Sequence, residues 1–144
     1  MIRLARADEY EIITTIWEAS VRATHHFLSE EEITWLRPQI LNDWLPLVTV
    51  MVYDDPQDGI CGFLGVAEDK VEMLFLAPDS RGKGIGKALL AHAIEEMSVT
   101  LVDVNEQNPH ATNFYQRAGF EVYGRSPLDG QGKPYPLLHM RLKA

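Results

Sequence analysis

Arg81-Gly82-Lys83-Gly84-Ile85-Gly86-Lys87 stands between an apolar run, Val71 to Leu76, and a stretch whose Leu89, Leu90, Ala93, Ile94 and Met97 share one side of a helix. A glycine-rich turn that hands a strand over to a helix gathers unpaired backbone N–H groups and the positive helix end at one spot. Glycines let the main chain approach an anion closely, and Arg81, Lys83 and Lys87 make the turn a local basic island. A pyrophosphate fits that description; the plainer reading is a tight turn with solvated charges. Val99 to Val104 follows as a strand, so the order strand, helix, strand reads as a right-handed crossover between parallel neighbours.

Upstream, Ile2 to Ala5 reads as a short strand, and Asp8 can cap a helix whose Tyr10, Ile13, Trp17, Val21 and Thr24 fall at helical spacing. Ser29 and Glu32 form a capping-box pair opening a second helix toward Trp44, and Pro38 inside it predicts two short pieces. Leu47 to Tyr53 and Ile60 to Ala67 are β-rich runs around the turn residues Asp54 to Gly59. Pro78 ends the strand Val71 to Leu76. Downstream, Pro109 to Ala118 reads as a helix stopped by Gly119, Phe120 to Tyr123 as strand, Gly124 to Lys133 as loop, and Pro136 to Leu142 as the last strand. The sum is an α/β chain, a mixed sheet with helices on both faces, expected to be one domain over residues 1–144.

The charge balance bounds the partners. Thirteen Lys plus Arg against 21 Asp plus Glu leave a net charge of −8, which argues against a sequence-independent grip on nucleic acid or on an anionic membrane. Met1 to Tyr10 has no apolar stretch of signal-peptide length, and no run approaches the ~20 apolar residues of a span, so a cytoplasmic protein is expected. Cys61 is the lone cysteine and reads as a small buried hydrophobe. His92, His110 and His139 show no recognisable metal spacing, so no metal is expected. Trp17, Trp35 and Trp44 read as core or pocket walls.

Two phosphate-binding motifs can be tested on the letters of the glycine-rich turn. The NTPase loop needs a Ser or Thr after its Gly-Lys, but Ala88 follows Gly86-Lys87, so no hydroxyl is offered to magnesium. The dinucleotide fingerprint starting at Gly82 and Gly84 would put Lys87 where its third glycine belongs, although Asp103 lies near the right distance for a ribose contact. That reading stays as an alternative.

Read as Arg-x-x-Gly-x-Gly, Arg81 to Gly86 resembles the acyl-coenzyme A signature of the GNAT superfamily of N-acetyltransferases. Leu74-Phe75-Leu76-Ala77-Pro78 is similar to that family's fourth strand, and Asn105 to Asn108 with Phe114 to Phe120 to its closing motif. Ser20 to Ser29 and Gly132 to Leu138 resemble the small bacterial YjaB-like branch. The resemblance covers nearly the whole chain. It implies a GNAT fold, with parallel fourth and fifth strands splaying at their carboxyl ends and acetyl-CoA entering the gap. It further implies that the amides of pantetheine pair with the backbone of Leu74, Phe75 and Leu76. The pyrophosphate would take N–H groups from Gly82, Lys83, Gly84, Ile85, Gly86 and Lys87 beside Arg81. Asn108 would touch the cofactor and Tyr115 would protonate the departing thiolate.

Each role has a bland counterpart. Tyr115 can simply pack beside Phe114, although a phenol held within reach can hydrogen-bond a developing thiolate and pass it a proton. Asp103, a carboxylate between Val102 and Val104, either accepts a proton through a water or is merely hydrogen-bonded at the strand end. Lys70 stands where some family members carry an acid, which leaves Glu72 as a fallback. His25 and His26 end the first helix, where either could bind the acceptor or act as a base, or could offset the helix dipole. The expected reaction is direct attack of a primary amine on acetyl-CoA by a monomer or homodimer. The competing expectation is a non-catalytic sensor of CoA or a dinucleotide.

Overall fold

The computed structural model describes residues 1–143. Seven strands form one sheet in the order β1-β2-β3-β4-β5-β7-β6. They are β1 (Ile2–Leu4), β2 (Thr49–Asp55), β3 (Gly59–Ala67), β4 (Lys70–Leu76), β5 (Leu101–Asn105), β6 (Phe120–Ser126) and β7 (Leu137–Leu142). All neighbours are antiparallel except β4 and β5, which are parallel and joined at only two residue pairs, Lys70 with Leu101 and Val71 with Val102. Beyond those pairs the strands diverge. The mixed sheet and its parallel splay are as expected.

Four helices flank the sheet: α1 (Tyr10–Thr24), α2 (Glu30–Gln39), α3 (Ile85–Glu96) and α4 (Pro109–Arg117). One core joins α3 and α4, through Leu89, Leu90, Ala93 and Tyr115, to Val71, Val102, Val104 and Met140. The other joins α1 and α2, through Ile13, Trp17, Val21 and Ile33, to Val50, Val52 and Phe63. Alternate strand residues therefore feed opposite faces, as a period of two requires. No helix among the described residues is long and apolar enough to cross a membrane.

Several boundaries move, each for a local reason. Pro38 does not split α2 where it stands. The helix runs to Gln39, and the second piece is a π-helical turn, Ile40–Trp44, followed by a 3-10 turn, Leu45–Leu47. Proline withholds one N–H from the ladder, and the wider turn comes where that ladder is already broken. The Ser29–Glu32 capping box forms, with both reciprocal bonds at 3.1 Å. Gly124 does not end its strand: β6 bulges between Val122 and Gly124 and continues to Ser126. Trp17 is buried, but Trp35 is 47% exposed with the Lys133 ammonium 4.5 Å above its ring, so it walls neither core nor cavity.

Candidate active site

The gap between β4 and β5 opens into a cavity of about 640 Å³, bounded by the start of α3, one face of α4 and the end of α1. Gly82 and Gly84 have φ of +76° and +80°, a left-handed backbone in which a side chain is strained. Gly84 caps α3, whose first intrahelical bond runs from the Ala88 amide to the Gly84 carbonyl. The amides of Ile85, Gly86 and Lys87 thus have no backbone partner among the described residues, and these residues line the cavity with Arg81, Gly82 and Gly84. Lys83 does not line it. This corner suits a pyrophosphate by donor geometry and by charge.

Leu74, Phe75 and Leu76 form the opposite lip. Their approach depends on Gly62 of β3, where a Cβ would lie 2.5 Å from Leu76 Cδ2 and 3.0 Å from the Phe75 carbonyl oxygen. Glycine here sets how closely the end of β4 can pack.

Tyr115 is 7% exposed and stands edge-on between Phe114 and Phe120, with ring centroids 5.1 and 5.8 Å away. It also lines the cavity, and no group among the described residues bonds its hydroxyl. Burial pushes the phenol well above its ordinary value. It therefore stays protonated and able to donate. Asn108 lines the same space while its Oδ1 accepts from the Ala111 amide at 3.2 Å, so it caps α4.

Asp103 reaches the cavity but is not free. Lys70 forms an ion pair with Oδ2, and His139 Nδ1 lies 2.7 Å from Oδ1. Partial burial works to raise this carboxyl, yet the bonds from Lys70 and His139 outweigh it and hold it below its ordinary value. A carboxylate so held is a weak proton acceptor. Glu72 lines this cavity and also a neighbouring apolar one of about 480 Å³ walled by Trp17, Trp44 and Met73.

The two histidines separate. His25 lines the cavity, its Nδ1 sits 2.8 Å from Thr24 Oγ1, and its ring contacts Phe27 and Phe75 at 5.3 and 6.1 Å. Burial, reinforced by the Arg81 and His26 charges, lowers it to about 4. Neutral at pH 7, it does not offset the helix dipole. His26 is exposed and outside the cavity lining. From His25 the aromatic contacts continue through Phe27 to Tyr135, at 5.4 Å.

His139 and Ser126 belong to no motif in the sequence, where the first is weighed only as a metal ligand and the second falls in a loop. Ser126 Oγ lies 2.6 Å from His139 Nε2, which extends the Asp103 contact into a line of three side chains. Among the described residues no group of three or more His, Cys, Asp or Glu is placed to hold a metal.

Comparison with known proteins agrees with this geometry. A family model described as acetyltransferase (GNAT) domain matches residues 46–122. The peptidyl-lysine N-acetyltransferase YjaB of Salmonella typhimurium is 42% identical over 96% of this chain and 95% of its own, and that of Escherichia coli 41% over 96% and 94%. The solution structure of apo YjaB from Escherichia coli superposes with a TM-score of 0.88 at 40% identity, covering 98% of this chain and 95% of that one. A PaiA N-acetyltransferase from Thermoplasma acidophilum, solved in complex with coenzyme A, shares the fold with a TM-score of 0.74 at 24% identity, covering 100% and 98%. These matches decide for acetyl transfer over the dinucleotide and sensor alternatives.

Proposed function

We propose, for a chain that belongs to the GNAT acetyltransferase family and transfers acetyl groups from acetyl-CoA to amines, that the acceptor is the side-chain amine of a lysine in a protein. The observation that carries the reading is a convergence in one cavity. There the free amides of α3, the opening between β4 and β5 and the unclaimed Tyr115 hydroxyl meet. Support for a lysine comes from the relatives named peptidyl-lysine N-acetyltransferases, and the net charge of −8 suits a cationic acceptor. A cytoplasmic setting suits the lone buried Cys61 and the cosubstrate.

In this reading the amides of Ile85, Gly86 and Lys87, with Arg81 beside them, take the pyrophosphate. The backbone of Leu74, Phe75 and Leu76 holds the pantetheine arm, with Asn108 on its far side. Acetyl-CoA supplies an activated thioester, and the amine attacks it directly, with no acyl-enzyme. Positioning accounts for most of the rate. Tyr115 donates its proton to the departing sulfur. His25, neutral and aromatic-flanked, lines the acceptor's path, whereas His26 faces solvent and takes no part.

The test offers acetyl-CoA with three acceptors: an N-terminally blocked lysine peptide, an alanine-ended peptide without lysine, and spermidine. Mass spectrometry is expected to find the acetyl group on the lysine Nε. Exclusive labelling of the alanine amine or of spermidine removes the lysine reading.

A further inference from the structure

We propose that the apolar cavity beside the acetyl-transfer cavity is a specificity pocket for the acceptor protein, taking a large apolar side chain two residues away from the acceptor lysine. The pocket measures about 480 Å³. Trp17 of α1, buried, forms its floor, and Ile40 and Trp44 form one wall. Leu47, 78% exposed, marks its rim. That wall comes from a break in helix geometry. Pro38 withholds its N–H, α2 ends at Gln39, and the chain goes on as the π-helical turn Ile40–Trp44, whose first and last residues both reach the pocket. Wide turns of this kind recur at functional sites.

A bulge in β4 joins the two cavities. Val66 pairs with Val71 and Gly65 with Met73, so Glu72 is the unmatched residue. The extra residue resets the alternation of the strand: Val71 packs with α3 and α4, whereas Met73 and Phe75 pack with the core of α1 and α2. Glu72, Met73 and Phe75 line both cavities and are therefore a common wall one residue thick. Val71 and Val102, the last pair before the strands part, close the inner end of the larger cavity. In the proposed pose the pantetheine arm runs from the α3 amides past Leu76 and Leu74, which carries the thioester toward Glu72 and Met73. The pocket thus adjoins the reacting end of acetyl-CoA rather than its nucleotide.

Chemistry and spacing choose the occupant. Glu72 is the one charged residue that lines the pocket, and the rest of the lining is apolar. It is exposed, and among the described residues no cation or donor pairs with its carboxylate; the ammonium of Lys70 is taken by Asp103. The seam therefore offers an unmatched negative charge to an arriving ammonium, with an apolar slot directly beside it. A lysine with a large apolar near neighbour is the complement of that pair. In an extended peptide alternate side chains share a face and stand about 6.6 Å apart. Met73 and Phe75 of the common wall are likewise two apart on β4. A peptide crossing this wall with its lysine in the larger cavity sets the side chain two residues away over the smaller one.

The inference rests on the lysine reading above, and the experiment separates the two. Blocked peptides with one lysine carry Phe, Leu or Gly two residues before or after it, and kcat/KM is measured for wild type, Ala67→Leu and Trp44→Ala. Wild type should favour Phe over Gly by about tenfold or more on one side of the lysine, as burial of a large apolar side chain supports. Ala67 lines the pocket from β3, so Ala67→Leu fills it, and Trp44→Ala removes a wall. Either variant should cut the Phe-to-Gly ratio severalfold; because both peptides meet the same enzyme, a general loss of activity leaves that ratio unmoved. Ala67→Leu serves should Trp44→Ala not fold. The Phe peptide, and not the Gly peptide, should also shift the tryptophan emission of wild type. Equal kcat/KM for the two peptides, or a preference that survives in every folded variant, overturns the pocket and leaves the lysine reading standing. Preference for 2-phenylethylamine over propylamine with none among the peptides shows the cavity holding the amine's own body, and also overturns it. Turnover of spermidine with no lysine peptide modified removes both.

Discussion

The Tyr135 hydroxyl lies 2.6 and 2.5 Å from the two carboxylate oxygens of Glu32, although 103 residues of chain separate them. Glu32 also accepts from the Ser29 amide as half of a capping box, so one carboxylate starts α2 and tethers the segment before β7. Lys133 of that segment adds a 3.8 Å ion pair to Glu32. The hydroxyl bond from Tyr135, then the Ser29 amide, pulls Glu32 below its ordinary value, and the tyrosine is pushed up to about 12. The folded-state carboxyl is depressed, so the tether is intact at neutral pH and is lost only as acid protonates Glu32 below its unfolded value. Tyr135→Phe is expected to speed proteolysis of residues 127–136 and raise the acceptor KM severalfold, with acetyl-CoA affinity unchanged. Identical cleavage rates in both proteins would show the tether to be inert.

Tyr115→Phe removes one oxygen from an otherwise apolar, close-packed ring. The fold and the α3 amide corner stay as they are. Calorimetry should find acetyl-CoA binding nearly intact, while kcat falls about tenfold or more. Full turnover in this variant would take the tyrosine out of the reaction.

Gly62→Ala tests how β4 is held open. Leu76 Cδ2 can swing away from a new methyl, but the Phe75 carbonyl at 3.0 Å is backbone and must yield with its strand. A cost of about 1–3 kcal/mol is expected, the usual range for overpacking. The moved carbonyl belongs to the lip proposed to hold pantetheine, so acetyl-CoA should bind more weakly as well. A variant with wild-type melting and wild-type affinity would contradict this account.

Glu9, 5% exposed, accepts from Arg3 at 2.9 and 2.7 Å and from the Arg6 amide at 2.8 Å. The Arg3 bond, aided by the Arg6 amide, outweighs burial and holds the carboxyl at about 2, far below its ordinary value. Its stabilisation is therefore complete above the unfolded pKa and drains away as pH falls toward 2. Glu9→Gln should cost about 2 kcal/mol at pH 7, within the range for bonds to charged groups. The gap in melting temperature should close as the pH is lowered through that window. A gap independent of pH would mean the loss is one of packing.

Features encoded in short stretches are legible in the amino-acid order itself. The glycine turn, the Ser29 capping box, the helix stop at Gly119 and the alternation of the strands are properties of neighbours in sequence. The line of Asp103, His139 and Ser126 is not. It needs the register of β5 on β7 and of β7 on β6, which is set by burial of Val102, Val104 and Met140 beneath the helices. Taking Gly124 as the end of a strand also puts Ser126 in a loop and hides it. A signal is present, since a carboxylate in a central strand calls for a partner and His139 sits in the last strand of the sheet. The tether from Tyr135 to Glu32 leaves no local trace at all.

Among the described residues, two adjoining pairs are all the strand pairing between the first four strands and the last three, and each group is drawn from its own continuous stretch, residues 2–76 and 101–142. The molecule is built like a book, two covers and a narrow spine, with α3 as the hinge cloth. Whatever is slid between the pages shares the load of keeping the covers at a fixed angle. A cosubstrate held in that gap, as proposed, would be a structural beam as well as a reagent, and stiffness should rise and fall with each catalytic cycle.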